Sequence, residues 1–73
     1  MNFKDPDYVK AWGANLRTVR KRKKMTILEL AVAIEVDEKQ IRLIEKGDVN
    51  TSLVMIRAIS LALNIEPGEL FNF

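Results

Sequence analysis

The sequence predicts an all-α domain of five short helices, at about residues 6–23, 27–34, 38–46, 52–63 and 67–71. Three observations carry this reading. Apolar residues recur at steps of three and four, the period of a helix and not of a strand. Each segment opens on a capping residue or a proline: Asp5-Pro6, Thr26, Asp37, Ser52 (or Thr51) and Pro67. The chain has 73 residues, 48% of them hydrophobic, which is one small domain near the lower size limit for a core without covalent staples.

Residues 1–5 read as an N-terminal arm and 6–73 as the single domain. Phe3 in the arm packs back onto the domain or onto a second subunit. Asp5 caps the first helix, and Pro6 takes its first position, where a missing N–H costs nothing. Val9, Trp12, Gly13, Leu16 and Val19 (or Arg20) form its inward stripe, with Trp12 plugging one end of the core. Met25 is a core residue at the turn that follows.

Residues 26–47, TILELAVAIEVDEKQIRLIEKG, organise the chain. Thr26-x-x-Glu29 is a capping box. Leu30, Ala31 and Ile34 then share a face. Asp37 opens the next helix, with Gln40 three residues on as a second candidate box. Ile41 and Ile44 continue the apolar face, and Gly47 closes the helix in the left-handed conformation that glycine adopts cheaply. Two capped helices with so little between them cross steeply. That is a helix-turn-helix, whose second helix suits a major groove. Beyond the loop Asp48-Val49-Asn50-Thr51, the fourth helix turns Leu53, Ile56, Ile59, Ala62 and Leu63 inward. Asn64 ends it. Pro67 begins the short fifth helix.

The pattern Thr26…Leu30-Ala31…Val36…Ile41…Ile44-Glu45-x-Gly47 resembles the Cro/C1-type helix-turn-helix domains, the phage-repressor-like regulators of the XRE family. The likeness runs from about Trp12 to Phe71. Asn15-Leu16-Arg17…Arg20 resembles the family's first helix. Ser52-Leu53…Ile56…Ala58-Ile59…Ala62-Leu63-Asn64-Ile65…Pro67-x-Glu69-Leu70-Phe71 resembles its fourth and fifth. The resemblance implies a lambda-repressor-like fold, double-stranded DNA as partner, and a homodimer on a palindromic operator, acting as a repressor in a bacterial or phage cytoplasm. It also implies an ion pair between Arg20 and Glu45 that ties the first helix to the recognition helix.

Composition narrows the alternatives. The chain has no cysteine and no histidine, which removes disulfides, thiolate nucleophiles and the usual zinc ligands. No nucleophile–base pair, metal cluster or phosphate-cradling glycine loop is legible, so neither an enzyme nor a cofactor or metal is expected. No apolar run is long enough for a membrane span, and no small-molecule effector domain is expected. Net charge is only +2, yet six of the eight residues from Arg17 to Lys24 are basic. A local basic patch on a nearly neutral domain suits a polyanion.

In such a module phosphates supply affinity and base edges supply specificity. The family's base-reading positions carry Glu38, Lys39 and Leu43 here, with Gln40 and Arg42 beside them. Lys39 can donate to guanine, Gln40 to adenine; Glu38 can accept from cytosine, and Leu43 can meet a thymine methyl. Phosphate contacts are expected from Arg17, Arg22, Lys23, Lys24 and Lys46, and from Asn50, Thr51 and Ser52 at the start of the fourth helix.

Two departures from the family pattern support an alternative. Ile27 stands where the family commonly has glutamine, and Leu28 beside it is also apolar. Together they form an exposed apolar spot, or Ile27 packs at the helix junction. Asp37 and Glu38 place two carboxylates at the end that would enter the groove. The dimer surface is expected on the fourth and fifth helices and the tail, with Leu70, Phe71 and Phe73 as apolar candidates. Together with that tail, these features fit a protein-interaction or antitoxin-like module on the same fold, with weak or altered DNA binding.

Overall fold

In a computed structural model the chain forms four α-helices, α1 (Pro6–Arg22), α2 (Ile27–Ile34), α3 (Glu38–Lys46) and α4 (Leu53–Leu63), and then a 3-10 helix, Pro67–Phe71. The structure describes residues 5–73. Residues 1–4, and with them the placement expected for Phe3, lie outside the described residues.

Helix starts follow local chemistry. Asp5 accepts from the Tyr8 amide, Thr26 and Glu29 close a reciprocal capping box, and Ser52 accepts from the Met55 amide. The second box expected at Asp37 and Gln40 does not form. Asp37 Oδ1 accepts from Lys39 N at 2.8 Å instead, and the Gln40 amide donates to the Asp37 carbonyl.

All four α-helices end alike. The residue after the last turn is left-handed, and two amides fold back on the final carbonyls. At the end of α1, Lys24 N donates to Lys21 O and Met25 N to Arg20 O. Glu35, Gly47 and Asn64 end α2, α3 and α4 with the same pair of bonds. Only Gly47 lacks a Cβ, and one placed there would also strike the Lys10 backbone.

Leu16, Leu30, Ile41, Ile44, Ile59, Leu63 and Leu70 are fully buried and form the core with Trp12 and Val19. α3 packs on α1 and α2, and α4 on α2 and the 3-10 helix, which also lies on α1. Gly13 permits the α1–α3 crossing, because a Cβ there would meet the carbonyl oxygens of Ile44 and Glu45. Val9 and Met25 are half-buried rather than central.

Three sequence expectations are corrected here. The fifth helix is 3-10, not α. Glu69 N donates to Glu66 O and Asn72 N to Glu69 O, the i→i+3 pattern that suits five residues opening on a proline. Leu70, expected on a dimer or partner surface, is instead wholly buried. Three residues per turn rotate it between α1 and α4. Leu53, expected inward, is 83% exposed. It is the first residue of α4, nearly two turns before the buried Ile59, Ser60 and Leu63, and so lies past the edge of the core.

Candidate nucleic-acid interface

Residues 35–37 alone connect α2 to α3, which holds the two helices as a rigid pair. α3 is sharply two-sided. Ile41 and Ile44 are buried, while Lys39, Arg42 and Lys46 are exposed and Leu43 is half-exposed. Among the expected base-reading residues, Lys39 and Leu43 lie on the outer side. Gln40 is half-buried. Glu38 and Arg42 are bound to each other, Arg42 Nη2 to Glu38 Oε2 at 2.9 Å one turn apart.

The Arg20 guanidinium joins three parts of the fold. Nε and Nη2 donate to the two carboxylate oxygens of Glu45, at 2.7 and 3.0 Å. Nη1 donates to the Met25 carbonyl at 2.9 Å. The two side chains are only 7% and 6% exposed, so this cation is structural and offers nothing to a ligand. Its neighbours do. Arg17, Arg42 and Lys46 rim a depression between α1 and α3, with Ile27 beside them and the Arg20–Glu45 pair as its floor. Three cations above a neutral floor make an anion-attracting surface.

Other expected phosphate contacts are placed unevenly. Lys23 and Lys24 are exposed at the end of α1. Arg22 is exposed but leans on Glu69, Nη2 to Oε2 at 3.2 Å, which anchors α1 to the 3-10 helix. Lys46 has Asp48 3.6 Å away. Asn50 and Ser52 are exposed, and the Ser52 hydroxyl is committed to capping α4. Thr51 does not fit the role expected of it. Its hydroxyl is buried and without a hydrogen-bond partner, as is Trp12 Nε1 in the same cleft.

The expected apolar spot on α2 also changes. Ile27 is half-buried against the core, so Leu28, 54% exposed, stands without it. In the tail, Phe71 and Phe73 are partly exposed but packed on their own chain, their rings 5.8 Å from Trp12 and 5.4 Å from Tyr8. α4 was expected to share in a dimer surface, but its exposed residues Leu53, Val54 and Leu61 were not among those the sequence singled out for it. Their signal was there: one charge, Arg57, in eleven residues means a helix apolar on more than one side.

The Helix-turn-helix family model matches residues 16–70, which include α2, α3 and the cations around them. The chain belongs to the XRE-type family of DNA-binding helix-turn-helix regulators. Among solved structures, this XRE-type chain is similar to the restriction-modification controller protein C.AhdI from Aeromonas hydrophila. The two share 40% identity at a TM-score of 0.82, over 89% of this chain and 97% of the other. It is also similar to the clp gene regulator ClgR from C. glutamicum, at 28% identity and a TM-score of 0.83, over 88% of this chain and 83% of that one. No curated protein sequence matches it. No helix among the described residues of this XRE-type domain is long and apolar enough to cross a membrane.

Proposed function

We propose that the protein is a sequence-specific double-stranded DNA-binding transcriptional regulator, working as a repressor and as a homodimer on a palindromic operator. α3 enters the major groove, and a two-fold axis sets the two copies of α3 about 34 Å apart, one turn of duplex. The observation that carries the reading is the two-sidedness of α3 within a matched helix-turn-helix, with Lys39, Arg42 and Lys46 outward beside Arg17 of α1. Lys39 and Leu43 read bases. Arg17, Lys23, Lys24, Lys46 and the backbone amides near Ser52 hold phosphates.

A second reading, a protein partner docking on α2, draws on Leu28 and Val32. They stand one turn apart and are 54% and 67% exposed. Salt separates the two, because phosphate contacts weaken steeply with ionic strength and an apolar contact does not. Titrating labelled random duplex at low and moderate salt, with Lys39→Ala alongside after sequence selection, tests the first reading. Binding that falls with salt, with the selected preference lost in Lys39→Ala, is the expected result. No duplex binding at low salt and no selected site would overturn it.

A further inference from the structure

Two buried polar atoms, Trp12 Nε1 and Thr51 Oγ1, have no hydrogen-bond partner among the described residues, and Trp12 is only 5% exposed. Both residues line one cleft of about 140 Å³, formed by α1, the α3–α4 loop, α4 and the 3-10 helix. Buried donors and acceptors are paired in nearly all cases, so an exception calls for an explanation. The other walls are chiefly apolar, with Ile44 from α3, Val49 from the loop and Ile56 from α4. Among the described residues, none of those lining the cleft is charged. Tyr8 and Phe71 also line it, and both are partly exposed, which gives a way in from solvent. The Phe71 ring is tilted 59° against Trp12, with centroids 5.8 Å apart.

We propose that this cleft binds a small uncharged ring compound carrying a hydroxyl group, with the size and chemistry of a phenol. Each property of the ligand answers an observation. A cavity of about 150 Å³ with apolar walls takes up benzene, so the volume suits a single ring. Aromatic walls favour a flat guest, through edge-to-face and offset contacts. Walls without charge favour a neutral one. A hydroxyl oxygen can accept from Trp12 Nε1 while its O–H donates to Thr51 Oγ1, so one group serves both unpaired atoms. Water fits less well. Roughly four or five water molecules would fill the space, at about 30 Å³ each, and two buried polar atoms cannot give them the three or so bonds that buried waters make. Displacing loosely held water with an apolar group adds affinity. The cleft uses Ile44 from the inner side of α3 and none of Lys39, Arg42, Leu43 or Lys46. The inference therefore goes beyond the DNA reading and stands apart from it.

Trp12 is the only tryptophan, so its indole N–H gives a single signal. The test is to titrate the full chain, without DNA, with phenol, toluene and benzoate, followed by NMR of that N–H and of the methyl groups. Phenol is expected to bind at about 1 mM, as suits so few atoms. It should shift the Trp12 signal and the methyls of Ile44 and Ile56, and leave those of the exposed Val32 and Leu61 in place. Toluene, a ring without the hydroxyl, should bind about tenfold more weakly, because it leaves both polar atoms unpaired. Benzoate, which brings a charge, should bind more weakly than phenol as well. Thr51→Val keeps the shape of the side chain and removes its hydroxyl. It should erase most of the preference for phenol over toluene, with a thermal melt to show that the variant is folded. No binding by any of the three compounds, shifts spread over the exposed apolar side chains, or no preference for phenol would each overturn the site. So would an undiminished preference in folded Thr51→Val. The wild-type series decides the matter even without that variant.

Discussion

Arg42 reaches back one turn along α3 and holds the Glu38 carboxylate at 2.9 Å, so one of the two carboxylates at the start of α3 is partly cancelled within the helix itself. Both side chains are well exposed, and such a pair contributes only about 0.3–0.5 kcal/mol to stability. Its larger effect falls on DNA. Glu38→Gln removes one repulsive charge and releases Arg42. Duplex affinity should rise several-fold, the salt slope should steepen by about one, and the melting temperature should barely move. Unchanged affinity across a salt series would count against Arg42 facing phosphate or base.

Removing one partner of the Arg20–Glu45 pair leaves a desolvated charge behind. Arg20→Ala should cost about 3–5 kcal/mol, a large share of the stability of a domain this small. Replacing both residues with apolar ones of similar size should restore much of the loss. Urea midpoints of the single and double variants decide between these outcomes, and a single variant as stable as wild type would contradict the pairing.

Gly13→Ala has a diagnostic sign. In an open helix interior the change would stabilise by roughly 0.5–1 kcal/mol. Here the added Cβ meets backbone oxygens of α3, which cannot swing aside. A net loss of about 1–3 kcal/mol is expected. Gly68→Ala, with nothing within 4 Å, should be close to neutral and is the control.

The Glu29 carboxylate accepts from the Thr26 amide at 2.9 Å, and with the Thr26 hydroxyl this holds it below its ordinary value of 4.5. A carboxylate lowered on folding stabilises fully above its unfolded value, and that contribution fades as pH falls through the folded one. Stability of the wild type should therefore decline in acid more than that of Glu29→Gln, with the two curves converging at low pH. Chemical denaturation across that range is the measurement, and parallel curves would refute the linkage.

The legible parts of this fold are those governed by near neighbours in sequence. Thr26, Ser52, Gly47 and Asn64 act on atoms within a few residues, so the helix ends could be read to within one residue. Arg20 opposite Glu45 came through resemblance, because nothing local says that one cation among six turns inward. Leu53 and Leu70 were misjudged for a shared reason. Each lies in a terminal turn, where a single step of rotation, or a switch from the α to the 3-10 period, moves a leucine between core and solvent. Ile27 and Thr51 depended on how α2 seats on α3 and α4 and how the α3–α4 loop seats beside Trp12, a tertiary matter that no local pattern encodes. The exposed residues of α4, Leu53, Val54 and Leu61, were visible in composition but not singled out, because one apolar side was taken to imply one polar side.

Three of the four left-handed helix ends carry side chains: Lys24, Glu35 and Asn64. Asparagine tolerates that geometry, but at Lys24 and Glu35 it costs roughly 1 kcal/mol each relative to a relaxed residue. The domain therefore stands below the stability its own backbone would allow, by an amount open to two glycine substitutions outside α3, one at Lys24 beyond α1 and one at Glu35 in the turn that leads into α3. That reserve sets how far the reading surface can drift. A lineage that acquired those glycines could accept destabilising changes along α3, and so new target sequences, while remaining folded.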